Sequence, residues 1–490
     1  MINNSFPLLS RAVSAFISGA LFPYSLSPYD FWIAAIVSPL WLYILTRYGK
    51  IRNSVSYFYL YSLGMFSVGV HWIFFSVHDY GNASDLLAGT LVFLFVVFYS
   101  LVSIPGGYVY ARFFRDSDIC SLLAFVSIWV LQEWIRSWLF TGFPWLYLGY
   151  GVMGTWLEKF SPFLGIFGVS FVVVYVSISF WLGFYKKNIN WIVFPALLVF
   201  ISPFLDRWEF SESIGKASVS LVQGNVDQHS KWSPENRQAI FRLYLDASQE
   251  ELGRDIIIWP EASVTYLKQT IESQIKQLDK EAKDKQSALI FGVPSRTEDG
   301  YFQNSLMAIG QSEGHYIKRR LVPFGEYVPM EKYLRGLIAF FDLPMSRNSS
   351  GPVEQLALTF RGKSISSSIC YEIAYPDLVR KAARNPVFLL TVSNDTWFGD
   401  SIGPWQHLQL ARMRALENDR ALIRATNNGI TAVIDNRGKI VSSLPQFSEG
   451  ILRDTIELRQ GETPFHRFGS YPILILSILL LIIASARLEE

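Results

Sequence analysis

The sequence predicts an α-helical polytopic membrane bundle of about eight transmembrane helices, joined to a layered α/β domain. The first observation is the charge distribution: residues 1–206 carry 10 Lys+Arg and 8 Asp+Glu, whereas the remaining 284 residues hold 33 of each sign. The second is the pattern after residue 217, where short β-branched runs alternate with amphipathic segments. The third is an aromatic content of 16%, which suits rings at a membrane surface. A wholly soluble chain is excluded.

The membrane part is predicted from apolar windows. About 20 helical residues cross a hydrocarbon layer of about 30 Å. Windows of this kind, bounded by charges or Pro/Gly turns, are residues 8–26, 31–46, 54–77, 86–110, 119–139, 163–185, 191–205 and 471–485. The expected domains are therefore a seven-helix membrane region (1–205), an outer domain (206–469) and a C-terminal transmembrane helix (470–490).

The short loops predict the orientation. Lys and Arg cluster after the second, fourth and sixth windows, and alternate loops such as 78–85 have none. The basic loop residues are Arg47, Lys50, Arg52, Arg112, Arg115, Lys186 and Lys187. Since positive loops stay in the cytoplasm, we expect both termini there and residues 206–469 outside the cytoplasmic membrane.

Two polar or aromatic features of the membrane part invite interpretation. Glu133 and Arg136 are one helical turn apart, and we expect a structural ion pair, with a lipid-headgroup contact as the alternative. The connection 140–162 is long and aromatic, so it is either an interfacial belt or a lipid-facing wall beside the outer domain.

The outer domain should contain a sheet covered by helices. The predicted strands are 217–223, 255–259, 288–293, 304–309, 364–370, 387–392 and 430–434, and the predicted helices are 233–253, 264–285, 377–384 and 405–424. No Gly-rich phosphate loop follows a strand and no His pair has zinc-ligand spacing, so we expect neither a nucleotide cofactor nor a metal. The even charge balance argues against nucleic-acid binding.

Chemically capable residues stand at strand ends, where layered α/β domains place their sites. Glu261 follows DIIIWP, Cys370 ends ISSSIC, and Lys318 ends HYIK before the loop LVPFGEYVP, which contains Glu326. Each alone has a structural explanation: a core thiol, a solvated lysine or a helix-capping carboxylate. His407 is an alternative base for the cysteine, although other histidines have equal claim.

Taken together, these motifs resemble a known family. WPE at 259–261, a Lys before LVPFGEYVP and CYE at 370–372 resemble the Glu-Lys-Cys triad of the nitrilase superfamily. With seven windows before and one after, and with SPYD at 27–30, PW at 144–145, QGN at 223–225 and NDTWFG at 394–399, the whole chain resembles the apolipoprotein N-acyltransferases of the Gram-negative cell envelope.

The resemblance implies a nitrilase-like αββα sandwich and a role for each matching residue. Cys370 takes the place of the nucleophile, Glu261 that of the general base and Lys318 that of the third triad member. The implied supporting or substrate-binding positions are Trp232, Glu326, Tyr371, Glu372 and Trp397.

The implied reaction moves an acyl chain from a phospholipid, typically the sn-1 chain of phosphatidylethanolamine, through a cysteine thioester to the α-amine of a diacylated apolipoprotein. The expected setting is the bacterial inner membrane, with the catalytic domain in the periplasm, as a monomer without cofactor. We expect the LVPFGEYVP loop and the connection 140–162 to form a lateral opening for lipid. A nitrilase-like hydrolase of small amides or nitriles and a transporter or receptor that only binds remain the alternatives.

Overall fold

The structure, a computed structural model, describes residues 8–336 and 347–487. The chain divides into two compact units. The first contains the described parts of Met1–Phe74, Asp85–Glu209 and Arg467–Glu490. The second contains Phe75–Ser84 and the described parts of Phe210–His466, so the chain enters it twice.

The first unit is built from helices that follow the apolar windows of the sequence. Up to residue 209 the helices are α1 (Leu8–Leu21), α2 (Ile33–Thr46), α3 (Ile51–Gly69), α4 (Ile73–His78), α5 (Asp85–Leu101), α6 (Ser103–Val109), α7 (Asp118–Arg136), α8 (Ser161–Lys186) and α9 (Asn190–Ile201). The C-terminal window forms α17 (Tyr471–Ala486). Every predicted window therefore coincides with a helix or a pair of helices.

Length and apolarity single out four of these segments as able to cross a membrane. Among the described residues, the continuous helical stretches that qualify are Asp85–Phe114, Asp118–Arg136, Trp156–Lys186 and Asn190–Arg207. Two further apolar helices, α2 and α17, are shorter. The full set of eight spans stays a prediction.

The aromatic connection between α7 and α8 lies in the interior of the first unit along most of its length. Trp145, Tyr147 and Tyr150 are at most 2% exposed, and the Gly149 N–H donates to the Ser170 hydroxyl at 2.9 Å. Irregular backbone at membrane depth must find its hydrogen-bond partners within the protein. The predictions of an interfacial belt and of a lipid-facing wall are therefore both wrong for the middle of this connection. Its expected part in a lateral opening stays a prediction, since Phe140 and Trp156 at its two ends are exposed.

The polar pair on α7 supports this connection. Glu133 Oε1 accepts the Leu148 N–H at 2.7 Å, while Arg136 donates to the carbonyls of Trp145 and Leu146 at 3.3 and 3.2 Å. Both side chains are buried. The two side chains interact electrostatically, as expected of a structural ion pair, but their hydrogen bonds go to backbone groups that have no helical partner.

Replacing Glu133 by Ala should destabilise the first unit. The change leaves the Leu148 N–H and the Trp129 indole N–H, which also donates to Glu133, buried without an acceptor, at a cost of about 1–3 kcal/mol. Thermal unfolding in detergent should show a lower Tm. Asp116→Ala is the control, because that side chain is 91% exposed; an unchanged Tm for Glu133→Ala would contradict the assignment.

The second unit contains one continuous run of hydrogen-bonded strands. They are β1 (Ser211–Gln223), β2 (Ile256–Ile258), β3 (Ala288–Arg296), β4 (Phe302–Gly310), β5 (Ser312–Ile317), β6 (Leu358–Phe360), β7 (Lys363–Ile369), β8 (Leu389–Ser393), β9 (Leu422–Thr426), β10 (Ala432–Ile434), β11 (Ile440–Ser443) and β12 (Gly450–Gly461). Their order is β11-β10-β9-β8-β7-β6-β5-β4-β3-β2-β1-β12. Strands β1–β3 are parallel to one another, as are β7–β9.

The remaining helices belong to or border the second unit. They are α10 (Gln228–Lys231), α11 (Arg237–Gln249), α12 (Glu272–Asp284), α13 (Glu331–Leu334), α14 (Pro376–Lys381), α15 (Gly403–Asn418) and α16 (Pro464–Phe468). The predicted helix 405–424 is too long: α15 ends before Asp419, which has a left-handed backbone (φ 50°). The next residues form β9 instead and pair with β8.

Alternation along the strands creates a four-layered sandwich. Ile258 lies in a buried cluster with Leu390 of β8, whereas the adjacent Ile257 lies in a second cluster with Tyr244 of α11. Successive strand residues face opposite sides of a sheet. The two halves of the run therefore pack face to face, with α11 and α12 outside one half and α15 against β9 of the other. The nitrilase-like αββα fold is confirmed.

Candidate active site

The carboxyl ends of the parallel strands meet at one edge of the sandwich, and the candidate residues lie there. Cys370 follows β7 and has φ 53°, the left-handed region that side chains disfavour. The chain then turns into a short 3₁₀ helix, Cys370–Ala374. This sharp turn leaves the cysteine partly exposed at the strand end.

Glu261 follows β2 and its carboxylate is held from several sides. Oε1 accepts the Asn304 side-chain N–H at 2.6 Å, and Oε2 accepts the Asn394 backbone N–H at 2.8 Å. Gly292 of β3 permits this packing, since a Cβ there would lie 2.6 Å from the Pro260 carbonyl oxygen. No helix begins at Glu261, so the helix-capping alternative does not apply.

Lys318 links two carboxylates. Its Nζ lies 2.8 Å from Glu326 Oε1 and 3.4 Å from Glu261 Oε1, and its side chain is 1% exposed. Burial by itself lowers the pKa of this lysine, but the charges of Glu326 and Glu261 outweigh burial and raise it well above its ordinary value. Lys318 is therefore a fixed ammonium at neutral pH.

The Cys370 thiol is protonated at rest. The surrounding protein removes much of its solvation, which raises the pKa of Cys370; the Glu261 charge raises it further, and the Lys318 charge opposes both. The three residues of the predicted triad thus influence one another electrostatically. A neutral thiol needs a base to take its proton before it can attack.

Glu326 lies on the loop that follows β5. Besides binding Lys318, its second oxygen accepts the Val322 N–H at 2.8 Å, which closes the loop on itself. Its side chain is 15% exposed. Glu326 is therefore placed to hold Lys318 against Glu261. The other residues of the LVPFGEYVP loop are partly buried, except Val328, which is buried.

Glu372 binds the backbone around Cys370. This fully buried carboxylate accepts the N–H groups of Arg319, Arg320 and Ile369 at 2.7, 3.1 and 2.8 Å, and the Tyr316 hydroxyl at 2.9 Å. Burial raises the pKa of Glu372, and these donors oppose the rise. Glu372 therefore fastens the chain after Lys318 to the residue before Cys370.

Replacing Glu372 by Gln should lower both stability and activity. Both carboxylate oxygens of Glu372 accept hydrogen bonds, so the NH₂ group of a glutamine would face another donor at one of these two positions. An unsatisfied buried polar group costs about 1–3 kcal/mol. We expect a lower Tm and a slower reaction of Cys370 with iodoacetamide. Glu354→Gln is the matched control, since Glu354 is exposed; equal behaviour of the two variants would contradict this role.

The other predicted positions are aromatic. Trp232 follows α10 and is 40% exposed, and Tyr371 is buried with its ring 5.3 Å from that of Tyr375. Trp397 lies in a short 3₁₀ helix after β8 and is partly buried. The structure thus places these rings on three loops at the same edge of the sandwich.

A network of amides was missed by the sequence reasoning. The Asn394 side chain donates to Gln228 Oε1 at 2.6 Å and accepts the Asn427 amide at 3.2 Å. Asn394 also supplies the backbone N–H to Glu261. Its position at the start of NDTWFG was a usable signal, because an Asn after a buried strand often bonds neighbouring loops.

The segment Phe75–Ser84 was missed as well. The Tyr80 ring stacks on His229 of α10, with centroids 5.3 Å apart, and meets Trp397 edge-on at 5.4 Å. The Ser76 hydroxyl donates to the Trp397 carbonyl at 2.6 Å. This segment therefore braces two of the loops that surround the candidate site.

Replacing Tyr80 by Ala should loosen both loops. The ring contacts with His229 and Trp397 disappear, and one aromatic pair contributes about 0.5–1.5 kcal/mol. Hydrogen exchange should become faster in residues 227–232 and 394–399. Tyr80→Phe keeps both ring contacts and should exchange like the wild type; unchanged exchange in Tyr80→Ala would contradict the bracing role.

His407 does not face the thiol as a base. Its ring nitrogens contact Asp395 Oδ1 at 3.0 Å and the Cys370 carbonyl oxygen at 3.1 Å. Burial and the nearby Arg424 charge lower the pKa of His407. With both nitrogens engaged, the histidine supports the turn at Cys370, and the alternative of a Cys–His pair loses its geometric basis.

The αββα fold of the second unit defines a class of protein, the nitrilase superfamily. The family model described as Carbon-nitrogen hydrolase matches residues 218–463. A second model, described as Apolipoprotein N-acyltransferase N-terminal domain, matches residues 18–179. The solved structure of Saccharomyces cerevisiae Nit3 aligns with 51% of this chain and 92% of its own, at 18% identity and a TM-score of 0.37.

Relatives that align over nearly the whole chain identify the family within this superfamily. An apolipoprotein N-acyltransferase of Vibrio vulnificus is 37% identical over 97% of this chain and 96% of its own. Those of Pseudomonas syringae pv. tomato and Pseudomonas aeruginosa are 39% and 40% identical over 95% and 96% of this chain, and each alignment covers 94% of the relative. The chain belongs to the apolipoprotein N-acyltransferase family.

Proposed function

We propose that this protein is a phospholipid:apolipoprotein N-acyltransferase. It moves an acyl chain, the sn-1 chain of phosphatidylethanolamine, through a Cys370 thioester to the α-amine of an N-terminal diacylglyceryl-cysteine. The observation that carries the proposal is the convergence of Glu261 and Lys318, 3.4 Å apart, in the electrostatic surroundings of Cys370. Family membership supports the acyl transfer and the lipoprotein acceptor.

In the first half-reaction, Glu261 takes the Cys370 proton and the thiolate attacks the ester carbonyl of the phospholipid. The tetrahedral intermediate collapses by breaking the bond to the glycerol oxygen. Protonated Glu261 then gives its proton to that oxygen, which releases the lysophospholipid and leaves the acyl group on sulfur. The high pKa of the thiol makes Glu261 necessary for this step.

The oxyanion of each tetrahedral intermediate needs fixed donors. Lys318 and the backbone N–H of Tyr371 supply them in this proposal. Because Glu326 and Glu261 hold the Lys318 ammonium in place, little reorganisation is needed when charge develops. Loss of one such donor typically lowers the rate by about 10²–10³-fold.

In the second half-reaction, the lipoprotein amine attacks the thioester. Glu261, again ionised, takes a proton from the nitrogen as the carbon–nitrogen bond forms. The thiolate leaves and recovers a proton from Glu261, which restores the resting enzyme. Two sequential transfers through one covalent intermediate predict ping-pong kinetics.

The membrane-spanning part has a physical role in this reaction. Donor and acceptor both carry acyl chains whose transfer to water costs about 0.8 kcal/mol per methylene group. The proposed setting is the inner membrane, with eight spans, both termini cytoplasmic and the second unit in the periplasm. The apolar helices of the first unit and the positive charges of alternate loops support this topology.

A labelling experiment tests the proposal directly. Incubation of purified protein with phosphatidylethanolamine labelled in its sn-1 chain should attach a hydroxylamine-sensitive label to Cys370. Addition of a diacylglyceryl peptide with a free amine should move the label to that amine. The label on protein and peptide is followed by gel and mass spectrometry.

The two cysteines provide matched variants, because Cys120 is buried in α7. Cys120→Ser should label like the wild type, whereas Cys370→Ser should not label. Label that water removes without a peptide would favour the hydrolase alternative. Absence of label on the wild type would refute the transacylase, and unimpaired function of Cys370→Ser would favour a binding protein.

A further inference from the structure

Lys231 is a buried lysine beside the candidate site that the reaction described above does not use. It ends α10 and is only 1% exposed. Its Nζ donates to the backbone carbonyl of Glu261 at 3.4 Å. The two residues are 30 positions apart in the sequence, so the fold brings this ammonium to the proposed base.

Burying the Lys231 ammonium in this environment costs free energy that a purely structural residue would not need to lose. Among the residues that the structure describes, no carboxylate forms an ion pair with it. A buried ammonium with one long hydrogen bond to a carbonyl loses more hydration than that bond returns. An apolar side chain of similar length would fill the same space at lower cost, so the charge itself calls for a function.

We propose that Lys231 is a positioning residue that keeps Glu261 ionised, as a second positive charge beside Lys318. Its hydrogen bond to the Glu261 carbonyl also fixes the backbone from which the carboxylate extends. The inference rests on the proposed role of Glu261 as the general base.

The two ammonium groups near Glu261 differ in the other carboxylates that each of them contacts. The charged and titratable groups around it are Lys231, Lys318 and Cys370; Glu326 and Glu372 act on Lys318, and Asp395 acts on Cys370. Lys318 is shared with the Glu326 carboxylate, which lies closer to it than Glu261 does. Within the described ranges no carboxylate forms an ion pair with Lys231, and the charge that acts on it is that of Glu261.

Lys231 carries its charge under working conditions. Burial lowers the pKa of Lys231 to about 8, and the Glu261 charge opposes that effect. The ammonium form therefore predominates at neutral pH. Because the charge of a neighbour stabilises an opposite charge most strongly where water is excluded, its loss should make ionised Glu261 less stable.

The test compares pH profiles of acyl-thioester formation in the full-length protein, with the labelled phospholipid as the probe. Activity should fall on the acid side as Glu261 gains a proton. In Lys231→Met this acid limb should move to higher pH by about one unit, which is about a tenfold lower rate below the limb. The pH dependence of Cys370 alkylation by iodoacetamide should move in the same direction.

Three control variants separate charge from shape. Lys231→Gln keeps a hydrogen-bond donor without the charge, so its acid limb should shift as in Lys231→Met. Lys231→Arg keeps the charge and should retain the wild-type acid limb. Lys216→Met, at an exposed position, should leave the pH profile unchanged. If the acid limb of the pH profile stays at the wild-type position in Lys231→Met and Lys231→Gln, the proposal is overturned, even if both variants react more slowly. Failure of both neutral variants to fold, with a folded Arg variant, would also overturn it in favour of a structural role.

The outcome for Glu261 itself is measured separately. If Glu261→Gln still forms the thioester, the proposed function of Glu261 fails, and the inference fails with it. If Glu261→Gln is inactive but the limb of the Lys231 variants does not move, only the inference about Lys231 fails. The two failures therefore give different results.

Discussion

The buried carboxylate of Glu261 is the constraint on which the rest of the site depends. A charge taken out of water must be surrounded by donors, and this carboxylate obtains them from Asn304 on β4, from Lys318 after β5 and from the backbone of Asn394 after β8. Both halves of the sandwich contribute. The carboxylate of the proposed base therefore obtains all these donors only when the two halves of the sandwich are packed together.

The same constraint explains which parts of the site could be predicted. Glu261, Lys318 and Cys370 stand at the ends of apolar or β-branched runs, and strand ends on one edge must converge in a layered domain. Asn394 also follows a buried strand, but its pairing with Glu261 has no local signature. Asn394 lies 133 residues from its partner, and Lys231 looked like an ordinary charge before Trp232. Pairings of this kind follow from tertiary structure, which local pattern does not encode.

The departures from the fold prediction have physical causes of the same kind. Leu422 continues the helical spacing of α15, yet the left-handed Asp419 ends the helix and the following residues complete a parallel sheet. Glu133 and Arg136 interact electrostatically, as their spacing predicts, yet their hydrogen bonds go to the irregular backbone next to α7. In both cases the unpaired hydrogen-bonding groups of a neighbouring segment outweighed the local pattern.

The second unit is built from two separate parts of the chain, Phe75–Ser84 and Phe210–His466, and this has a consequence for biosynthesis. Phe75–Ser84 leaves the ribosome long before its partners, since Ser76 and Trp397 are separated by 321 residues. The first strand of the sandwich likewise pairs with the last, Ser211 opposite Gly461. The sandwich therefore cannot close during translation of its early strands, and Tyr80 can meet Trp397 only after most of the chain has been synthesised. A product truncated before β12 would therefore leave β1 without its antiparallel partner along its whole length.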